Sequence, residues 1–392
     1  ANSTLLANLA PIFVTLAAGY RRSPRMRTVF MVLMVWVLVL LVIGLIGYGM
    51  LYSAGGGSHS PWAWKHGVRL AVGLPLMVAV ALVDLRLWFR LSYLFYGGIL
   101  AMLAAVDVLG EINKGAQRWL DLGLVQLQPS ELMKVALVMA LARYFHSTYL
   151  DDLRRVTVLV PALLLILVPA GLVLVQPDLG TAATLLISGT AMLFMAGVRI
   201  WKFVAVGALG AGALPVLWAN LHDYQRQRVF TFLDPEADPL GAGYHIIQSK
   251  IALGSGGLWG KGFLHGTQAQ LSFLPEKQTD FAFTMLAEEL GLVGSITVLG
   301  LFLAVLLLGV AIAARAPSQY ARLLAIGVVM NLFTYVAINV SMVTGLIPVV
   351  GVPLPLISYG GTAMLTLVCS LGLLLCVDVN RNLTLPRFPI DP

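Results

Sequence analysis

Charge is scarce in this sequence. Only 11% of its 392 residues are Asp, Glu, Lys or Arg, and 59% are hydrophobic. Soluble domains carry about 25% charged residues. The deficit excludes an ordinary soluble protein, and a mean hydropathy of +0.89 points to a polytopic, all-α membrane protein. The net charge of +7 is then no sign of nucleic-acid binding, because basic excess in a membrane protein collects in cytoplasmic loops. Cysteine is nearly missing. Cys369 and Cys376 stand seven apart in one apolar run, about 10 Å along a helix axis and too far for a disulfide within it. Both read as apolar lipid- or core-facing residues, and no Cys/His cluster suggests a metal cage. A leader pattern is missing too. The stretch ANSTLLANLAPIFVTLAAGY precedes the basic cluster RRSPRMR, the reverse of a signal peptide. Residues 1–27 are expected to form a non-spanning, interfacial cytoplasmic arm.

Long apolar runs are what the chain has. They fall near 28–52, 68–85, 92–110, 131–146, 156–175, 180–198, 200–220, 281–314, 322–345 and 360–379, which makes about ten membrane helices at roughly 20 residues per crossing. The run at 131–146 is short and carries Glu131 and Lys134. The run at 281–314 is long enough to project or tilt. With the N-terminus inside, the inner segments hold fifteen basic residues: four in 21–27, two each in 86–90, 154–155, 199–202, 315–322 and 381–387, and Arg143. The short outer segments hold four, Lys65, Arg69, Lys114 and Arg118. This imbalance places both termini in the cytoplasm. The expected organisation is a membrane domain over 28–380, with an outer loop at 221–279 and a cytoplasmic tail at 381–392. The loop has glycine punctuation in GSGGLWGKG, and GYHIIQSKIAL reads as a short amphipathic helix.

Carboxylates at a membrane boundary need a partner or a task. In KGAQRWLDLGLVQLQPSELMK, Pro129 and Ser130 make a good helix start, and Glu131 and Lys134 then share a face. A structural ion pair and a polar element of a site both suit them. Asp178 in VQPDLGT is either a helix cap or a site carboxylate. In LPEKQTDFAFTMLAEELG, Glu288 and Glu289 lie over two turns beyond Asp280 and are expected to pair within the bundle. Asp280 is an N-cap, a task Thr279 can also take, or a functional group. Convergence of three polar clusters at one leaflet suggests a shared outward cavity, suited to a lipid-linked phosphate sugar. Arg226, Arg228, Lys250 and Lys261 are expected to make loop or headgroup contacts. IPVVGVPLPLISYGG cannot form a continuous helix. Irregular backbone at membrane depth survives where it is buried or lines a cavity. This segment, with Pro353, Pro355, Ser358, Tyr359, Gly360 and Gly361, is therefore expected to be a re-entrant wall.

NVSMVTGLIPVVGVPLPLISYGGTA resembles the signature of the SEDS family, the shape, elongation, division and sporulation proteins. QRWLDLGLVQLQPSELMK, QPDLGT, DYQRQRV, DPLGAGYHIIQSKIALGSGGLWGKG and HGTQAQLSFLPEKQTDFAF are similar to its rod-elongation branch. The resemblance covers roughly residues 30–380. It implies ten helices with both termini cytoplasmic, in the bacterial cytoplasmic (inner) membrane. It also implies a peptidoglycan glycosyltransferase that polymerises lipid II into glycan strands during cell-wall elongation. The substrates would be lipid II and undecaprenyl-linked glycan, and the partner a class B penicillin-binding protein. The family's essential carboxylate carries over to Asp280 in KQTDF, and its cavity residues to Glu131, Lys134 and Asp178. A single inverting displacement is expected, with Asp280 as general base and Arg118, Lys134 and Lys277 facing the diphosphate. A divalent cation such as Mg²⁺ or Mn²⁺ would be held loosely, by phosphates and one or two carboxylates. Two rivals fit the same inventory, a flippase for lipid-linked precursors and a silent scaffold for a wall synthase. A flippase needs a polar path through the membrane, whereas intramembrane charge here gathers at the outer leaflet.

Overall fold

The architecture comes from a computed structural model, which describes residues 24–113, 116–121, 126–149, 151–220, 226, 230–237, 243–271, 273, 274 and 276–387. Most of the expected arm, Lys114, Arg228 and the end of the expected tail lie outside the described residues. A helix occurs at each of the ten apolar runs: α1 (Pro24–Ala54), α2 (Trp62–Leu82), α3 (Leu85–Leu109), α4 (Pro129–Ser147), α5 (Val156–Val175), α6 (Leu179–Met195), α7 (Ile200–Asn220), α10 (Ala282–Arg315), α11 (Gln319–Val343) and α12 (Gly361–Val379). Between α7 and α10 lie α8 (Tyr244–Ser255) and the single-turn α9 (Thr267–Gln270). Among the described residues seven helices are long and apolar enough to cross a membrane; α6 and the apolar part of α7 are shorter, and α4 carries charge in its first turn.

The helices sort by burial. Of a membrane-length window, 72% is buried in α11 and 78% in α12, against 33% in α1, α5 and α10. Most of α4 is buried as well. Helices buried on all sides need no polar face, and α4, α11 and α12 therefore form the centre. Both cysteines are free, and Cys376 is buried against the Val83 carbonyl.

Two features depart from the all-helical expectation. The segment after α3 folds as a small antiparallel sheet of β1 (Glu111–Asn113), β2 (Ala116–Asp121) and β3 (Gln126–Leu127). This segment is too polar for a membrane helix, and strand pairing satisfies its backbone instead. The long 281–314 run is not one rod. Gly291 in α10 has φ 66° and ψ −162°, which breaks the helix into a short piece after Asp280 and a longer one to Arg315.

The outer-loop stretch GSGGLWGKG fills that break. Lys261 N and Gly262 N donate to the carbonyls of Glu288 and Glu289 (both 3.0 Å), and Leu292 N and Val293 N donate to Gly257 O (2.9 Å) and Leu258 O (3.1 Å). Backbone groups orphaned by the kink are thus paired with loop backbone. The approach leaves no room for a side chain. A Cβ on Gly291 would stand 2.3 Å from Gly260 N, and one on Gly260 would stand 2.1 Å from Glu289 O.

Between α11 and α12 the chain runs without helix through 344–360. Val352, Leu354, Leu356, Ile357 and Ser358 are buried there. Ser358 closes a turn on itself, with its Oγ accepting from Leu354 N and its N donating to Leu354 O (both 2.9 Å). Irregular backbone at membrane depth is tolerated when it is buried and bonded in this way.

Gly291→Ala is expected to destabilise the protein by more than the roughly 1–3 kcal/mol that a side chain costs in this glycine-only backbone region. Gly300→Ala in the same helix, whose added Cβ meets nothing within 4 Å, is expected to be neutral. Thermal unfolding of the two variants in detergent checks this, and equal midpoints would contradict the docking of the loop in the break.

Candidate active site

Two of the expected site residues meet inside the bundle. Glu131 and Lys134 lie in the first two turns of α4 and are 5% and 2% exposed. Lys134 Nζ donates to Glu131 Oε1 at 2.7 Å. Tyr335 of α11 completes the group: its hydroxyl accepts from Lys134 Nζ and donates to Glu131 Oε2. The ammonium also lies 4.2 Å from the Tyr335 ring centroid. Both groups are thereby hydrogen-bonded as well as paired, which offsets the cost of burying them away from water. The helix start differs in detail from the expected one. Pro129 stands first, but the N-cap is Gln128 without a side-chain bond, and Ser130 does not cap.

Asp178 is a cap and an ion-pair partner at once. It precedes α6, accepting from Thr181 N (3.1 Å) and Thr181 Oγ1 (3.0 Å). Arg118 on β2 reaches it at 3.8 Å and also donates to the carbonyls of Gln176 (3.1 Å) and Pro177 (2.6 Å). Arg118 therefore ties the sheet to the α5–α6 turn.

Asp280 is not the cap of α10. Phe281 holds the N-cap position and no side chain caps the helix. Thr279 is turned back onto Glu276, whose carbonyl and carboxylate it bonds (both 3.2 Å). Asp280 is half-buried and anchored through its backbone: Asn339 Nδ2 donates to Asp280 O (2.9 Å) and to Val352 O (2.7 Å). A Cβ on Gly351 would lie 3.4 Å from Asp280 Oδ2, and one on Gly180, two residues past Asp178, would lie 2.4 Å from Val350 O. The irregular segment thus runs between Asp280 and the start of α6. Asn339 and Tyr335 are four apart on α11, so the Asp280 anchor and the Glu131–Lys134 cluster sit one turn apart on one helix face, about 6 Å along the axis. Lys277 is half-buried nearby in sequence, and burial pushes its amine below the usual lysine range.

A small, shallow hollow opens beside Tyr335 and is lined by Pro353, Pro355, Ser358, Gly360, Ala363 and Met364 among others. Four of the expected wall residues face it. Tyr359 and Gly361 face Arg69 instead. Among the described residues no three His, Cys, Asp or Glu side chains gather as a metal cage, so a divalent cation there would draw most of its ligands from phosphate.

Glu289 pairs within the bundle as expected, through Ser53 of α1, whereas Glu288 departs from that expectation and pairs with the outer loop. Both are fully buried, and together they hold the loop and α1. Glu288 Oε1 accepts from Lys261 Nζ (2.7 Å), Gln268 N (2.9 Å) and Thr267 Oγ1 (3.1 Å). Glu289 accepts from Ser53 Oγ of α1 and from Leu264 N (3.3 Å). Lys261 is accordingly a clamp of the loop and not a headgroup contact. Sequence reasoning missed Tyr335, Asn339 and Ser53. Each is a polar residue in an apolar run, which was the available signal, but their partners are 204, 59 and 236 residues away.

A family model described as cell cycle protein (FTSW_RODA_SPOVE) matches residues 25–383. Peptidoglycan glycosyltransferase MrdB of Escherichia coli K12 is 47% identical over 350 residues, 88% of this chain and 94% of the relative. Stage V sporulation protein E of Bacillus subtilis is 35% identical over 361 residues, 89% of this chain and 96% of the relative. Among solved structures, one titled for the structural coordination of polymerization and crosslinking by a peptidoglycan synthase complex matches with a TM-score of 0.75 at 36% identity, covering 88% of this chain and 97% of that one. The crystal structure of rod shape determining protein RodA from Thermus thermophilus matches at 0.67 and 31% identity, covering 89% and 97%. Signature motifs, a polytopic helical fold and a family match across nearly the whole length converge: the chain belongs to the FtsW, RodA and SpoVE family of cell cycle proteins.

Proposed function

We propose that this multi-pass membrane protein is a peptidoglycan glycosyltransferase that polymerises lipid II into β-1,4-linked glycan during cell-wall elongation. Its identity to a protein of that named activity supports the reading, as does its likeness to a structure named for a peptidoglycan synthase complex. The basic residues of the short segments favour both termini in the cytoplasm, with the sheet and long loop outside. A class B penicillin-binding protein is the proposed partner, since polymerisation and crosslinking are coordinated in that structural relative.

The acceptor's 4-hydroxyl attacks the anomeric carbon of the donor. The bond from that carbon to the diphosphate oxygen breaks, configuration inverts, and undecaprenyl diphosphate leaves. Asp280 takes the hydroxyl proton. Arg118 and Lys277 contact the departing diphosphate, while buried Lys134 acts on it through its field, which low dielectric strengthens. One observation carries this assignment. Asp280 is half-buried just before the first turn of α10, and its backbone is anchored by Asn339 one turn from the Lys134–Tyr335–Glu131 cluster.

Asp280→Ala is expected to lower polymerisation by about 100- to 10,000-fold with the thermal midpoint retained. The measurement is glycan-ladder formation from labelled lipid II by the purified protein with its partner. Activity within about fivefold of wild type would remove Asp280 from the role, and lipid movement across vesicles without ladders would favour a flippase. Removing Glu131 alone (Glu131→Ala) strands a buried ammonium and is expected to cost about 3–5 kcal/mol. The pair Glu131→Gln with Lys134→Met is expected to restore much of the stability but little activity. Recovery of both in the double variant would make the cluster structural only.

A further inference from the structure

The start of α12 lacks what a helix start ordinarily has. Its N-cap is Gly360, no side chain caps it, and its first turn holds no acid. The first N–H groups of a helix need acceptors and carry about half a positive charge. Yet the side chain packed against them is itself a cation. A Cβ on Gly361 would lie 3.7 Å from Arg69 Nη2. Arg69 donates to Tyr359 Oη at 3.2 Å, and its guanidinium lies 4.6 Å from the Tyr359 ring centroid. Its Nη1 is shut off from solvent and has no partner. Thr362, the second residue of α12, is 4% exposed, and its Oγ1 has no partner either. Lys65 is exposed one turn earlier on α2 and shares the face of Arg69. No ion pair among the described residues involves Arg69 or Lys65.

A guanidinium held against the positive end of a helix raises the energy of both unless an anion stands between them. Helix N-termini and arginine both suit phosphate oxygens. This helix start also lies beside the proposed reacting groups, because Tyr359 N donates at 2.7 Å to the carbonyl of Gln278, two residues before Asp280.

We propose that Arg69, Thr362 and the first N–H groups of α12 bind the diphosphate of the acceptor lipid. The inference rests on the polymerase reading above. Both reacting sugars hang on a lipid diphosphate; one diphosphate leaves and the other stays attached through the step. Arg118, Lys134 and Lys277 serve the departing group. The retained group needs a cradle of its own, which binds without stabilising a leaving charge.

The test uses the full chain in phosphatidylcholine nanodiscs, titrated calorimetrically with farnesyl diphosphate as a short lipid diphosphate. Wild type is expected to show two classes of binding. Arg69→Gln is expected to weaken one of them about tenfold, the scale of a lost charge-assisted hydrogen bond. In the absence of probe the same variant keeps or raises its unfolding midpoint, and in polymerisation it raises KM for lipid II more than it lowers kcat. Unchanged binding in Arg69→Gln overturns the proposal. So does a fallen midpoint without probe, which would make Arg69 structural. Displacement of the Arg69-dependent class by equal dioctanoyl phosphatidylglycerol overturns it as well, in favour of a general headgroup site. Asp280→Ala leaves both classes intact, so failure of the base assignment and failure of the cradle are read separately.

Discussion

The hydroxyl of Tyr335 is the hinge of the structure's chemistry. It accepts from Lys134 and donates to Glu131, so a cation and a carboxylate persist among apolar helices with their hydrogen-bonding capacity met. Lone charges at that depth would be neutralised or expelled. The same interaction joins α11 to the first turns of α4, and one turn further along α11 Asn339 fastens the backbone of Asp280. A single buried helix therefore sets the spacing between the fixed charges and the proposed base. Such preorganisation costs nothing at the moment of reaction, which is why it is worth more than the same charges in water.

A second constraint acts on the backbone. Away from water every N–H and carbonyl must find a protein partner, yet the chain beside Asp280 is a broken helix and a non-helical connection. Each irregularity is closed by another. The break at Gly291 takes up the glycine-rich loop. The connection before α12 is pinned by Asn339 and by the carbonyl of Gln278. Glu288 and Glu289, deep in the short half of α10, hold the loop and α1 by their side chains. The half-helix that follows Asp280 is thus gripped from both sides, and a proposed general base on such a support is held to one position.

Much of this was legible in the residues, though unevenly. Apolar runs located ten helices, because the period of a membrane helix is its length and needs no tertiary information. The prolines and glycines before α12 announced an irregular segment for a purely local reason. Charge in a membrane is rare enough that Glu131, Lys134, Asp178 and Asp280 stood out at once. The small sheet was not anticipated, since strands of two to six residues carry too little pattern to be seen. Nor was the break at Gly291, because one glycine within an apolar run reads equally as a tolerated helix residue.

The sequence by itself determined the solvent of this protein, the places where its apolar helices form, and which few side chains are too polar to be there by default. Those follow from composition and local periodicity. Tertiary structure alone decided the partners. Whether Asp280 capped its helix, whether Glu288 faced a helix or a loop, and whether Arg69 found a counter-charge all depended on contacts between residues far apart in the chain. Pairing energies between buried charges vary with distance and dielectric, and neither exists until the helices have packed.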